Sequence, residues 1–282
     1  MDCGFVTFAD ERYMPLVEVL ARGLLEVSDH PLEVFAIDCD APTGYANVVP
    51  RRVALGTRDL WQVWYVKLLA ALSSDFDAGV MIDADMVPNL HVDELVDLAR
   101  QAVQSYPLCS AHPLDQRNQR NVMRELGVRR KSMPYVHATY LFSAQCREFF
   151  RECRSVARSL TEKGIRPANA DETLLNVMLW KHRVARQVNH YDPYFAGIDD
   201  YLADRFEFWD EGDSSWTEAS FHLFHGEKQV EGARALLERV LRQRGTGSGA
   251  AGRRRPLQVF EYRRSIVPGR VTRRRRSSHT GD

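Results

Sequence analysis

A chain of 282 residues with 44% hydrophobic and 27% charged side chains has the composition of an ordinary folded protein, long enough for one large domain and an appendage. Its formal charge of zero combines two unlike parts: from Arg253 onward ten Arg stand against Glu261 and Asp282, and the preceding residues carry 28 basic and 36 acidic side chains. That balance argues against a nucleic-acid-binding core; no run of about eighteen apolar residues suggests a membrane span, and five scattered Cys with no Cys-x-x-Cys pair suggest neither a zinc knuckle nor a disulfide framework.

Taken in chain order, Gly4–Phe8 reads as a short buried strand and Ala9-Asp10-Glu11-Arg12 as the polar loop after it. The N-terminus has neither the basic start nor the apolar run of a signal peptide, so a cytoplasmic setting is expected. From Tyr13 to Val27, apolar residues at Leu16, Val19, Leu20, Leu24 and Val27 keep helical spacing. Leu32–Ile37 reads as a second buried strand ending at Asp38, Arg52–Leu55 as a short third, and Leu60–Ala71 as a buried helix. Gly79–Ile82 is then a strand that runs straight into Asp83-Ala84-Asp85. Strand, helix, strand, helix, strand is the order of an α/β domain with a mostly parallel sheet, whose ligands collect at the carboxyl ends of the strands. Asp10, Asp38 and Asp83 each follow a strand, so one polar edge is expected to gather them. His91–Ser105 reads as a helix, Tyr135–Phe142 as a strand, Cys146–Lys163 and Asp171–Trp180 as helices, and Phe221–Phe224 as a last strand. The glycine-rich stretch near 245–252 reads as a flexible linker. The expected organisation is one domain over 1–243, a linker over 244–252 and an Arg-rich tail over 253–282.

The strongest chemical signal is Val80-Met81-Ile82-Asp83-Ala84-Asp85-Met86-Val87. Two carboxylates one residue apart at the mouth of a buried strand are costly to leave uncompensated. A hard divalent cation, Mn²⁺ or Mg²⁺, suits carboxylate oxygens and balances two such charges. Held there, it can bridge the phosphates of a nucleoside diphosphate as that group departs. The second signal is Phe221-His222-Leu223-Phe224-His225-Gly226-Glu227-Lys228. A neutral imidazole can complete a coordination sphere, Gly226 lets backbone approach a phosphate, and Lys228 offers a point charge to neutralise it.

On these residues the chain resembles the GT-A glycosyltransferases, and most of all glycosyltransferase family 8, which includes glycogenin and bacterial lipooligosaccharide galactosyltransferases. The likeness is distant and runs in order over residues 4–230. Val6-Thr7-Phe8-Ala9-Asp10-Glu11-Arg12-Tyr13 is similar to the family's first strand and loop, which implies Thr7, Asp10 and Tyr13 at the nucleoside. Tyr65-Val66-Lys67-Leu68 resembles a Tyr-Ala-Arg-Leu stretch whose Arg approaches the donor, with Lys67 in its place. Asp83-Ala84-Asp85 matches the metal motif. Tyr135–Phe142 resembles the Phe-Asn-Ala-Gly-Val strand of the sugar pocket, with His137 for Asn and Thr139 for Gly, and Asp171-Glu172-Thr173-Leu174-Leu175-Asn176 resembles Asp-Gln-Asp-x-Leu-Asn. The family's closing His-x-x-Gly-x-(x)-Lys-Pro-Trp differs here: histidines stand at 222 and 225, Leu223 three residues before Gly226, and Gln229 after Lys228. Either histidine is then a candidate metal ligand, with His225 favoured by its place beside Gly226.

The resemblance implies a GT-A fold and transfer of a hexose from a nucleoside diphosphate sugar, UDP-sugar favoured, to an acceptor hydroxyl with retention. Asp171 would bind a donor-sugar hydroxyl. Glu172, near the anomeric carbon, would stabilise oxocarbenium character or act as nucleophile, unless it is only a helix-start residue favoured by the dipole. The Arg-rich tail is expected either as a solvated block of like charge or as a peripheral contact with an anionic membrane carrying a lipid-linked acceptor. Two other functions fit the motifs. Asp83-Ala84-Asp85-Met86-Val87 also suits a haloacid-dehalogenase-like phosphatase with Asp83 as nucleophile, although Gly212-Asp213 lacks the second carboxylate such enzymes carry. The other is a non-catalytic sugar-nucleotide-binding domain.

Overall fold

The computed structural model describes residues 2–56, 60–101, 105–111, 119–167, 169–189, 220–223, 230–245, 258–264 and 271–275. The strands are β1 (Cys3–Asp10), β2 (Leu32–Ile37), β3 (Val48–Val53), β4 (Ala78–Met81), β5 (Met86–Pro88), β6 (Leu108–Ala111), β7 (Val136–Ser143), β8 (Arg186–Asn189), β9 (Phe221–Leu223), β10 (Gln258–Arg264) and β11 (Val271–Arg275). The helices are α1 (Met14–Val27), α2 (Leu60–Ser73), α3 (Asp93–Gln101), α4 (Arg120–Glu125), α5 (Arg147–Glu162), α6 (Ala170–Lys181) and α7 (Val230–Gly245).

The main sheet has nine strands in the order β11-β10-β8-β6-β7-β4-β1-β2-β3. The pairings make it mixed but mostly parallel, with β7 and β10 alone running against the others. One face carries α2, α5 and α6 on a core that includes Val6, Phe35, Met81 and Tyr140. The other face packs α1 and α3 on Phe5, Val34 and Val80, and α7 packs on α1 through Leu236, Leu237 and Val240. Burial on both faces explains why β1, β2 and β4 are almost wholly apolar rather than alternating.

Gly4 and Gly79 are partners across β1 and β4. A Cβ at Gly4 would lie 2.5 Å from the Pro31 carbonyl and 2.8 Å from the Phe76 ring, and one at Gly79 would lie 2.8 Å from the Phe142 ring. The missing side chains let those rings lie against the sheet. Pro15 occupies the first turn of α1, where no backbone N–H is needed. In α6, ten of twelve residues are buried, so this helix is core all round and holds whatever it carries rigidly.

The expected elements appear with shifted ends: the third strand lies at Val48–Val53 rather than Arg52–Leu55, and α3 starts at Asp93. A larger difference concerns the Arg-rich segment. Instead of forming only a tail, it adds two strands to the sheet, with β10 pairing on β8 and β11 closing the edge. Ladder formation, with Tyr262 packed into the core, outweighs the local preference of a charged block for solvent. Among the described residues, no helix is long and apolar enough to cross a membrane.

Candidate active site

The parallel strands β1, β2 and β4 end on one edge, and there the acidic residues gather as the strand order requires. After β4 the chain is held by the Ile82 N–H donating to the Val6 carbonyl at 2.9 Å and the Thr7 hydroxyl donating to the Ile82 carbonyl at 3.0 Å. It then turns through Asp83-Ala84-Asp85, closed by the Met86 N–H donating to the Asp83 carbonyl at 3.2 Å. Asp85 is only 9% exposed, and the Asp83 side chain is about a quarter exposed, at 23%. Thr7, expected at the nucleoside, is fully buried and ties β1 to the turn that presents Asp83.

Lys67 reaches this turn from α2. Its side chain is 3% exposed, its ammonium donates to the Asp83 carboxylate, and it lies 3.7 Å from Asp171 at the start of α6. Burial alone would favour loss of the proton, but Asp83 and Asp171 more than offset it and the Lys67 pKa is raised. The backbone carbonyl of Lys67 accepts a 2.5 Å hydrogen bond from the buried Tyr140 hydroxyl, which fixes this turn of α2 to β7.

Glu172 follows Asp171 in the first turn of α6, where the helix dipole favours negative charge. Burial nevertheless pushes its carboxyl up to about 7, aided by the neighbouring Asp171 charge and resisted by Tyr135 and Lys67. Asp171 is displaced the same way by burial, with Lys67 pulling against it. The Tyr135 phenol, beside Glu172, is raised by burial and by that carboxylate. Glu172 Oε1 is buried and accepts no hydrogen bond among the described residues. Three carboxylates therefore surround one ammonium in a place with little water.

The position of α6 is set by Asn176. Its side chain accepts from the Val136 N–H at 2.8 Å and donates to the Val136 carbonyl at 2.7 Å and to the Glu172 carbonyl at 2.9 Å. One turn on, the Trp180 indole donates to the Met133 carbonyl at 3.1 Å. On β7, the Thr139 N–H donates to His137 Nδ1 at 3.1 Å, with the Thr139 hydroxyl 3.0 Å away. A backbone N–H can only donate, so Nδ1 accepts and the neutral ring carries its proton on Nε2.

At the end of β1, the Asp10 carboxylate accepts from the N–H groups of Arg12 and Tyr13 at 3.1 and 3.3 Å, forming a tight turn. Asp38 does similar work past β2: at a φ of 52° it accepts from the N–H groups of Leu55 and Gly56. The small sheet joins this edge to the chain's later part. β5 starts immediately after Asp85 and pairs antiparallel with β9, Met86 opposite Leu223 and Val87 opposite His222. His225, Gly226 and Lys228 lie outside the described residues.

The structure thus brings Lys67, Asp83, Asp171 and Glu172 together and sets Asp85 in the same turn as Asp83. Asp83 and Asp85 offer the hard carboxylate oxygens a divalent cation takes, and the surplus of carboxylates over ammonium suits a further positive charge. Among the described residues, no group of three or more His, Cys, Asp or Glu that could hold a metal is assembled; the third ligand expected from the sequence, His225, is not among them. Sequence reasoning assigned no role to Tyr135, Asn176 or Tyr140. All three stand inside the segments that resemble the family, but the part Tyr140 plays is recognisable only once β7 lies beside α2.

No protein-family model matches the chain, and no curated protein sequence matches it. Among solved structures it is similar to the galactosyltransferase LgtC in complex with donor and acceptor sugar analogs, with a TM-score of 0.53 and 15% identity over 87% of this chain and 99% of that one. The distant likeness to glycosyltransferase family 8 read from the motifs extends to the architecture, and the Asp-x-Asp turn follows the fourth strand. The chain has the GT-A fold.

Proposed function

We propose that this chain is a metal-dependent glycosyltransferase that moves a hexose from a nucleoside diphosphate sugar, UDP-sugar favoured, to an acceptor hydroxyl with retention of configuration. The observation that carries the reading is the convergence of Asp83, Lys67, Asp171 and Glu172 on the carboxyl edge of a GT-A sheet. The similar LgtC structure is a complex with donor and acceptor sugar analogs, which supports a nucleotide-sugar donor and a glycan acceptor here.

In this reading Asp83 and Asp85 hold Mn²⁺ or Mg²⁺, joined by His225 or His222. The cation supplies electrostatic stabilisation of charge growing on the leaving diphosphate. The chain's own residues do the rest. Lys67 and Lys228 add positive charge beside the phosphates, and Gly226 admits backbone close to them. Asp10 and Tyr13 flank the nucleoside, and Thr7 braces the turn behind it. Asp171 orients the donor sugar through a hydroxyl. Glu172, buried beside it, stabilises positive charge at the anomeric carbon or attacks it, and either role needs the ionised form. The Arg-rich segment is the part of the chain suited to an anionic membrane surface and a lipid-linked acceptor.

A thermal-shift panel of UDP- and GDP-sugars, each with and without Mn²⁺, tests this, because ligands of the native state raise its melting temperature. The expected result is stabilisation by one donor only when Mn²⁺ is present, lost in the Asp83→Asn, Asp85→Asn double variant. Stabilisation that survives the double variant, or no donor response at all, overturns the reading.

A further inference from the structure

Lys67 is a buried cation already seated on the carboxylate that heads the Asp-Ala-Asp turn. Asp171 faces it as well, at 3.7 Å. A divalent cation arriving alone at Asp83 would share that carboxylate with the ammonium, and two cations on one carboxylate repel strongly where water is scarce. A cation arriving with a diphosphate meets a different balance. The diphosphate supplies oxygen ligands and enough negative charge to offset both cations at once.

We propose that Lys67 is a positioning residue that makes the divalent cation bind jointly with the nucleoside diphosphate rather than ahead of it. The proposal rests on the function given above and adds an order of assembly. The ammonium keeps Asp83 and Asp171 gathered while the site is empty of substrate, so the carboxylates do not need the metal to stay in place. It also discourages occupation by a free divalent ion in the absence of donor. A residue that merely glued α2 to α6 would affect stability and leave the preference of the site for bare metal over metal–nucleotide untouched.

The test is Mn²⁺ binding, followed by electron paramagnetic resonance of the free ion and by calorimetry, with and without UDP. It uses the full chain, its Lys67→Gln variant and its Asp171→Asn variant. Lys67→Gln is expected to bind Mn²⁺ alone about tenfold more tightly than the parent, and the cooperativity between Mn²⁺ and UDP is expected to shrink by about the same factor, within the usual range of such couplings. Asp171→Asn removes one carboxylate from the ammonium and leaves it more firmly on Asp83, so bare Mn²⁺ is expected to bind more weakly than to the parent. Opposite shifts from two neighbouring substitutions do not arise from general loosening of the site.

Equal bare-Mn²⁺ affinity in the parent and a folded Lys67→Gln protein overturns the proposal. If Lys67→Gln does not fold, unchanged or tighter bare-Mn²⁺ binding by Asp171→Asn overturns it instead. A cooperativity between Mn²⁺ and UDP that is equal in the parent and a folded Lys67→Gln protein sinks this inference alone. A parent protein that binds no Mn²⁺ even with UDP sinks the proposed function and this inference with it.

Discussion

Replacing Glu172 with Gln should make the protein more stable at high pH and leave it little changed at low pH. Glu172 is 7% exposed, and burial pushes its carboxyl up to about 7 from an ordinary value of 4.5. Between those values the unfolded chain has lost the proton while the folded chain keeps it. The native state then binds more protons, so stability falls as pH rises. The favourable contribution is fully present below 4.5 and is lost as pH passes through about 7. One pH unit corresponds to ~1.4 kcal/mol, so the full loss is about 3 kcal/mol. Gln keeps the shape and has no charge to bury, so the variant escapes that loss. Urea unfolding followed by tryptophan fluorescence, in the presence of a chelator at several values between pH 4.5 and 8.5, reads the difference. At pH 8 the variant should unfold with about 3 kcal/mol more stability than the parent, or a melting temperature higher by roughly 6–12 °C for a domain of this size. Asp171 titrates in both proteins and largely cancels from the comparison. A difference that stays flat from pH 5 to 8 would refute the argument, since it would mean the ionised Glu172 carboxylate is as well solvated in the fold as outside it.

Activity should respond to the same group in the opposite sense. If the ionised carboxylate serves the anomeric carbon, kcat/KM, which reports the free enzyme, should rise with pH through about 7 and level off above it, and Glu172→Gln should abolish that dependence along with most turnover; a flat profile in the parent would remove Glu172 from the chemistry. Asn176→Ala deletes the three bonds that fix α6 to Val136 and to its own first turn. With buried backbone groups left short of partners at ~1–3 kcal/mol each, it should lose about 3 kcal/mol in urea unfolding, and a loss under about 1 kcal/mol would show that packing alone positions the helix. Gly79→Ala places a methyl group 2.8 Å from the Phe142 ring and should cost about 1–3 kcal/mol. Phe142→Leu in the same chain should recover part of that cost in a double-mutant cycle.

The parts of the fold that show in the sequence are those where burial imposes a simple pattern. α1 is amphipathic, β2 and β4 are continuous apolar runs, and α2 and α6 are apolar nearly all round, so each is legible close to its ends. β3 is harder because Pro50 sits inside it. The strand tolerates proline as the sheet's edge, paired with β2 alone. β9 is the last strand expected from the sequence, whereas its partner β5, three residues long, has no local signature. α7 carries Ala233, Leu236, Leu237 and Val240 at helical spacing and is as legible as α1, yet the elements expected from the sequence do not include it. β10 and β11 run against the local signal, because a block of Arg reads as solvated until β8 offers it a ladder.

The site divides along the same line. Asp83 and Asp85 announce themselves, because two carboxylates at the mouth of an apolar strand demand an explanation wherever they occur. Asp171 and Glu172 are visible as a pair at a helix start, yet that position alone is equally consistent with a dipole effect. What changes the reading is their shared environment. Burial raises Glu172 despite the helix dipole, and burial pulls Lys67 toward the neutral form, an effect that Asp83 and Asp171 more than offset. The proton affinity of each of these groups is set in part by the others. Lys67 is marked in the sequence only by its resemblance to the family's donor-approaching Arg, and its carboxylate partners appear once α2, β4 and α6 are packed together. A charge that expensive to bury is retained only where something negative needs it, and the three carboxylates around it are more than one ammonium can satisfy.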